Sequence, residues 1–176
     1  MALVIREAAL IGQVLMNNSK VMFSSKSDEW ATPDGLYETL HAEFDFNVDG
    51  AATASNSRCT FYYCLDWVDA LKQSWSTDSR WIIKPTVWLN PPYSQCYEFI
   101  AKAAEEARNG CTVVCLVPSR TDTRWFHDYV WDRETHQPQP GVEVRFLKGR
   151  LKFGGAKAGA PFPSMIVIFS PPPCRD

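Results

Sequence analysis

The sequence predicts an α/β fold with a largely parallel sheet flanked by helices, and three observations support it. Short apolar runs alternate along the chain with segments whose apolar residues recur at helical spacing. One run, Cys111 to Val117, is continuously apolar, as expected of a strand covered on both faces. The chain has 176 residues and is 45% hydrophobic, which favours one globular domain with its own core.

The stretch from residue 30 to residue 50 is predicted to contain one helix and one strand. Residues 30–40 lead into a helix that starts at Thr32 and Pro33, because proline is favoured in the first helical turn. Phe44 to Val48 alternates apolar and polar residues, which predicts a strand that ends at Asp49-Gly50. The pattern from Phe61 to Trp75 is ambiguous.

The middle of the chain gives the sharpest pattern. Val87 to Leu89 is predicted to be a strand that ends at Asn90, because the two prolines that follow cannot continue a ladder. Tyr97 to Arg108 has one apolar side and is predicted to be a helix, with Gly110 at its C-terminal cap. Thr121 to Val130 is predicted to be another helix.

The last part of the chain is predicted to contain two strands, Val142 to Phe146 and Met165 to Phe169. The stretch between them, Gly154 to Pro163, is rich in Gly, Ala and Pro. Such a composition predicts a mobile loop.

A ligand site is expected where the predicted strands end. In parallel sheets, ligands bind beyond the carboxyl ends of the strands. Asp49, Asn90 and Pro118 each follow directly after a predicted strand. The site is therefore expected to gather three separate segments of the chain.

The charge distribution excludes a uniformly basic nucleic-acid coat, because the net charge is −2. The basic residues are nevertheless clustered near the C-terminus. This basic stripe contains no acid and consists of Arg145, Lys148, Arg150, Lys152 and Lys157. It suits a protein that touches phosphates at one edge, and a solvated lysine-rich loop is the alternative interpretation.

Cysteine and histidine positions do not predict a metal site. None of the 6 cysteines forms a C-x-x-C pair, and the 3 histidines are scattered. The apolar residues near the N-terminus are interrupted by Arg6 and Glu7 and are too few to span a bilayer. We therefore expect no metal, no membrane partner and a reducing cytoplasmic environment.

The tetrapeptide Asn90-Pro91-Pro92-Tyr93 carries the clearest chemistry. The Asn90 side-chain oxygen and the Pro91 carbonyl are rigid hydrogen-bond acceptors, and Tyr93 adds a flat ring that can stack on a planar group. Two acceptors that hold both hydrogens of a planar amino group localise its lone pair and stabilise the positive charge that develops when it attacks. A proline-rich turn beside a core tyrosine is the alternative interpretation.

This tetrapeptide looks like the catalytic motif of S-adenosylmethionine-dependent amino-methyltransferases. More specifically, residues 23–170 resemble the phage-type DNA N-6-adenine methyltransferase (Dam) family. Short segments carry the resemblance in the order of the family. They are Asp28-Glu29-Trp30-Ala31-Thr32-Pro33, Asp49-Gly50-Ala51-Ala52, Val87-Trp88-Leu89-Asn90-Pro91-Pro92-Tyr93, Leu116-Val117-Pro118-Ser119-Arg120, Gly149-Arg150-Leu151-Lys152-Phe153 and Phe162-Pro163-Ser164.

The resemblance implies a single-domain, Rossmann-like methyltransferase fold over residues 23–176, with residues 1–22 as an N-terminal extension. It also implies S-adenosylmethionine as the cofactor and N6 of adenine in double-stranded DNA as the methyl acceptor. The expected setting is the cytoplasm of a bacterial or phage-infected cell.

Site residues are assigned from the resemblance and from residue chemistry together. The catalytic candidates are Asn90, Pro91, Pro92 and Tyr93. The cofactor-binding candidates are Trp30, Thr32, Pro33, Asp49, Ala51 and Asp69, with Asp66 as a weaker candidate. The DNA-binding candidates are Arg120, Arg124, Lys148, Arg150, Lys152 and Phe153.

Several alternatives remain at the level of the sequence. A tryptophan such as Trp30 is more often a core anchor than a ligand, Phe153 equally suits core packing, and Arg120 and Arg124 equally suit a solvated face. The same tetrapeptide also serves enzymes that methylate N4 of cytosine, RNA adenine or a protein glutamine amide. A non-catalytic DNA-binding protein on the same fold is the alternative from a different functional class.

Overall fold

A computed structural model describes residues 30–64, 70–77 and 84–173 of the chain. The expected N-terminal extension, residues 1–22, and the candidates Asp66 and Asp69 lie outside these residues. The helices are α1 (Asp34–Phe44) and α2 (Cys96–Arg108). The strands are β1 (Val48–Ala52), β2 (Phe61–Cys64), β3 (Thr86–Leu89), β4 (Thr112–Pro118), β5 (Trp131–Asp132), β6 (Gln137–Pro138), β7 (Val142–Phe146) and β8 (Ser164–Phe169).

Six of these strands form one sheet in the order β2-β1-β3-β4-β8-β7. The pairs β2–β1, β1–β3 and β3–β4 are parallel, whereas β8 is antiparallel to both of its neighbours. Five strands therefore run in one direction and β8 runs against them. This confirms the predicted α/β fold with a mostly parallel sheet, which is consistent with a Rossmann-like methyltransferase.

The two helices pack on opposite faces of the sheet. On one face, α1 contributes Tyr37 and Leu40 to a buried cluster with Trp88, Leu116 and Ile166. We call this the α1 face. On the other face, which we call the α2 face, the helix α2 buries its apolar residues against alternate residues of the same strands. This second cluster includes Phe99, Ile100, Val87, Leu89, Val113 and Val167.

The predicted helix Tyr97 to Arg108 is confirmed as α2. A short 3-10 turn, Tyr93–Gln95, leads into it directly after the two prolines. At its end, Gly110 has a φ of 105°, and the Cys111 N–H donates to the Glu106 carbonyl at 3.0 Å. Glycine adopts this left-handed conformation without strain, so the sequence ends the helix here.

The predicted strand from Phe44 to Val48 is wrong. Phe44 is the last residue of α1, Asp45 has a left-handed φ of 52°, and β1 begins only at Val48. Tyr37, Leu40 and Phe44 also have helical spacing, and burial of the first two against the sheet favours the helix. Asp49 is consequently the second residue of β1 rather than the residue after a strand.

Two smaller expectations also need correction. The helix predicted from Thr121 begins only at Arg124 and continues as a π-helical turn, Phe126–Val130. Pro118 is the last residue of β4 rather than the residue after it. None of the helices in the described ranges is long and apolar enough to cross a membrane.

Candidate active site

The carboxyl ends of β1, β3 and β4 meet at one edge of the sheet, beside a cavity of about 460 Å³. Three parts of the chain form most of its wall: the segment before α1, the loop between β1 and β2, and the residues after β3. The lining residues include Trp30, Thr32, Asp49, Ala51, Arg58, Asn90 and Pro92. The volume lies within the range of small-molecule sites, about 300–1,000 Å³.

Alternation along β3 places Asn90 on the α1 face. Val87 and Leu89 point into the cluster of the α2 face, and Trp88 points into the cluster of the α1 face. Asn90 follows with the same orientation as Trp88 because side chains of a strand alternate. The Gln95 N–H donates to the Pro92 carbonyl at 2.9 Å, which closes the turn after the strand.

The amide of Asn90 is held in one orientation. Its Nδ2 donates to the Trp30 carbonyl at 2.5 Å and to the Thr32 hydroxyl at 3.1 Å. Its Oδ1 is buried and accepts no hydrogen bond from residues 30–64, 70–77 or 84–173. Both amide hydrogens therefore bind protein acceptors, while the oxygen is left available to a ligand.

Tyr93 belongs to an aromatic cluster beside Asn90. The Trp30 and Tyr93 rings are nearly parallel, at 15°, with centroids 6.2 Å apart. Phe162 and Phe153 meet Tyr93 edge-on, with centroids at 5.5 Å and 6.4 Å. Phe153 is buried and Trp30 is half-buried. The rings of this aromatic cluster therefore pack against one another, and the exposed part of Trp30 can also contact a ligand.

Asp49 is a buried carboxylate on the same face. It accepts hydrogen bonds from the backbone N–H groups of Ala51 at 3.3 Å and Arg58 at 3.0 Å. Burial raises the pKa of Asp49 to about 6, and these hydrogen bonds offset only part of that effect. The ionised form of a carboxylate in this environment is stabilised by any ligand that donates hydrogen bonds or carries positive charge.

Arg58 is a site residue that the sequence did not single out. Its guanidinium donates to the Thr32 carbonyl and to Asp34 Oδ1, both at 2.6 Å, and lies over the Tyr37 ring. It therefore fastens the loop between β1 and β2 to the segment that holds Asn90. No spacing or composition signal marked it, since its partners lie more than twenty residues away.

The DNA-binding candidates differ in how free their charges are. Arg124 is exposed but forms an ion pair with Asp128 at 3.1 Å, and Arg150 donates to the Ala160 carbonyl at 3.3 Å. Arg120 is half-buried, whereas Lys148 and Lys152 are exposed in the segment after β7. The strand β7 runs parallel to β4, so this segment begins at the same sheet edge as Asn90.

One member of the basic stripe is neutralised by acids. The Arg145 guanidinium forms two hydrogen bonds of 2.7 Å with Glu43 and one of 2.6 Å with Glu143. The part of the stripe available to phosphates therefore starts at Lys148.

The structure brings together the cofactor candidates Trp30, Thr32, Asp49 and Ala51 with Asn90. Pro33 caps the start of α1 and is not among the cavity-lining residues, and Pro91 is buried. In the part of the chain that the structure describes, no group of three His, Cys, Asp or Glu side chains is arranged to hold a metal ion.

Comparisons with known proteins identify a matching family and a relative. The model of the family described as DNA N-6-adenine-methyltransferase (Dam) matches residues 19–172. A protein of Escherichia phage T1 named DNA N-6-adenine-methyltransferase is 31% identical over 125 residues, which are 70% of this chain and 46% of that protein. The match thus spans less than half the length of this relative.

Proposed function

Since this chain belongs to the DNA N-6-adenine-methyltransferase (Dam) family, we propose that it transfers a methyl group from S-adenosylmethionine to N6 of adenine in double-stranded DNA. The observation that carries the proposal is the fixed orientation of Asn90. Its amide hydrogens are engaged, and its buried oxygen has no hydrogen-bond partner among the residues that the structure describes. A buried acceptor without a donor is unfavourable in a folded protein unless a ligand supplies the donor.

Asn90 Oδ1 and the Pro91 carbonyl act on the amino group of the target base. Together they accept its two N–H groups, which draws the nitrogen away from planarity and localises its lone pair. They also stabilise the positive charge that N6 gains as it attacks. The proton that N6 loses passes to solvent.

Tyr93 and its aromatic neighbours form the surface on which the base rests. A paired adenine reaches this surface only after it leaves the helical stack, at a cost on the order of a few kcal/mol. Stacking on aromatic rings returns about 1–3 kcal/mol per base. The exposed Lys148 and Lys152 lie after β7 at the same sheet edge, where they can bind the phosphates that flank the extruded base.

The cavity next to Asn90 suits the cofactor. Asp49 offers a carboxylate to the ribose hydroxyls or the ammonium group, and Trp30, Thr32 and Ala51 provide further wall. When bound, S-adenosylmethionine supplies an electrophilic methyl group on a positively charged sulfur. The contribution of the protein is positioning and polarisation of the amino group.

The decisive experiment follows a labelled methyl group. The protein is incubated with methyl-labelled S-adenosylmethionine and one of four acceptors: a mixed-sequence DNA duplex, a duplex of only G·C pairs, an RNA and a protein extract. Nucleoside analysis is expected to find the label in N6-methyladenine from the mixed duplex alone. Label in N4-methylcytosine, RNA or protein would refute the proposal.

Asn90→Ala serves as the control for this experiment. It removes the acceptor oxygen and should abolish transfer while cofactor binding, measured by calorimetry, is largely retained. Wild-type protein that binds neither S-adenosylmethionine nor a close analogue would favour the non-catalytic alternative.

A further inference from the structure

We propose that the Ser164 hydroxyl donates a hydrogen bond to a ring nitrogen of the target adenine, next to the amino group that Asn90 holds. The inference rests on the proposed function and deepens it. Its starting point is that Ser164 is 1% exposed and that its Oγ has no hydrogen-bond partner within the described ranges of the chain.

The sheet places Ser164 at the same edge as Asn90. Ser164 is the first residue of β8 and pairs with Pro118, the last residue of β4. Because β8 runs against the other strands, its beginning lies where they end. Asn90 follows β3, the neighbour of β4 on the other side, so the two residues flank β4.

Both side chains also share one face of the sheet. Along β8, Met165 and Val167 enter the cluster of the α2 face, and Ile166 enters that of the α1 face. Alternation then assigns Ser164 to the α1 face, as it does Asn90. The segment that leads from β7 into β8 carries Phe153 and Phe162, which pack against Tyr93.

The spacing suits a purine. Two inter-strand steps separate the strands of Asn90 and Ser164, and the register adds an offset of two residues, because Leu89 pairs with Cys115 and Ser164 with Pro118. The backbones are therefore about 12 Å apart. Both side chains stand on the α1 face, and an amino group with an adjacent ring nitrogen, each forming a hydrogen bond of about 3 Å, can bridge the distance between them. Adenine carries ring nitrogens on both sides of its amino group, N1 and N7, and both accept hydrogen bonds.

The buried Ser164 hydroxyl, which lacks a partner among the described residues, leads to opposite predictions for stability and for activity. In the free protein it is unfavourable, so Ser164→Ala should leave the melting temperature unchanged or raise it by a few degrees. The same variant should lower kcat/KM for adenine in DNA by about tenfold, with unchanged affinity for S-adenosylmethionine. Ser170→Ala, at the exposed residue after the other end of β8, is the matched control and should change neither quantity.

Single-atom substitutions in the base identify the contact. Oligonucleotides carry adenine, 1-deazaadenine or 7-deazaadenine opposite an abasic site, so that pairing strength does not influence extrusion. With wild-type protein, the analogue that lacks the contacted nitrogen should react about tenfold more slowly than adenine. With Ser164→Ala, that difference should disappear.

The outcomes separate the inference from the proposed function. Equal losses for Ser164→Ala on adenine and on both analogues, or a lowered melting temperature, would mean that the hydroxyl is structural and would overturn the inference. Wild-type protein that never methylates adenine would refute the proposed function instead. Coupling to N7 would additionally make Ser164 a residue that distinguishes adenine from cytosine, which has no equivalent nitrogen.

Discussion

Two buried carboxylates show how differently the two faces of the sheet treat polar groups. On the α2 face, Glu106 is 0% exposed, lies 2.8 Å from Lys102 Nζ and accepts the Ser76 N–H at 2.9 Å. On the α1 face, Asp49 is 4% exposed and accepts two backbone N–H groups. Among the described residues, no side-chain cation lies within ion-pair distance of Asp49.

The pKa values follow from these surroundings. Burial raises the pKa of both carboxyls, but Lys102 and the backbone N–H groups of Trp75 and Ser76 bring that of Glu106 below its ordinary value. Asp49 has weaker compensation, and its pKa rises to about 6. The charge of Glu106 is thus paired with that of Lys102, whereas the charge of Asp49 has backbone N–H partners but no paired cation among the described residues. The unpartnered Asn90 Oδ1 and Ser164 Oγ lie on the α1 face, as Asp49 does.

The largest effect is expected on the α2 face, for the stability of a variant of Glu106. Glu106→Gln removes the carboxylate 2.8 Å from Lys102 Nζ and leaves this cation, which is 8% exposed, with only the exposed Glu105 carboxylate nearby. The free energy of unfolding, measured by urea denaturation, should fall by about 3–5 kcal/mol. Glu105→Gln is the matched control, because Glu105 is exposed and lies 3.6 Å from the same Nζ. It should change stability by less than about 1 kcal/mol, and equal effects from the two variants would remove the contrast between the faces.

The next largest effect is expected on the α1 face, for catalysis by a variant of Asn90. Asn90→Asp keeps one acceptor oxygen but places a second oxygen where Nδ2 now donates to the Trp30 carbonyl. Repulsion between these oxygens should turn the side chain and lower kcat by about 10²–10³-fold, as loss of one stabilising contact in a transition state does. The measurement is the rate of label transfer to adenine, with Asn109→Asp at the exposed end of α2 as the control. Wild-type activity in Asn90→Asp would show that the amide orientation is unimportant.

The sequence predicted this site only where the signal is local. Asn90 follows a strand because two prolines end the ladder, and that information lies within four residues. The position of Asp49 was mispredicted because Phe44 fits both the helical and the alternating pattern. Arg58 and Ser164 depend on contacts between distant segments, which include the antiparallel strand β8, and no local spacing reports such contacts.

The difference between Asp49 and Glu106 can be tested by the pH dependence of stability. Its folded pKa lies above the ordinary value of 3.8, so the folded protein holds a proton that the unfolded chain has lost between about pH 4 and 6. Relative to Asp49→Asn, the wild-type stability should therefore decrease as the pH rises through this interval, by up to about 3 kcal/mol in total. Urea denaturation of both proteins at pH 4, 5, 6 and 7 measures the difference. A difference in stability that does not change with pH would mean that the pKa of Asp49 is not raised in the folded protein.

Protonation of Asp49 should also affect cofactor binding, but in the opposite direction from its effect on stability. If the ionised carboxylate holds S-adenosylmethionine, affinity should weaken as the pH falls below about 6, and Asp49→Asn should show weak affinity without this dependence. Calorimetry at matched ionic strength measures both profiles. Identical profiles in the two proteins would remove Asp49 from the cofactor site.

The smallest effect separates positioning from binding. Thr32, which is 5% exposed, accepts one Asn90 N–H, and the Trp30 carbonyl accepts from the same nitrogen. Thr32→Val removes one of these acceptors at constant shape, so the amide is held less firmly and kcat should fall by about tenfold. Because the oxygen of Asn90 is retained, this loss is smaller than that of Asn90→Asp. Thr32→Ser restores the hydroxyl and should recover most of kcat, with the cofactor Kd similar in all three proteins. A loss of kcat in Thr32→Ser as large as that in Thr32→Val would mean that the hydroxyl alone does not preserve kcat, and would contradict its role in orienting Asn90.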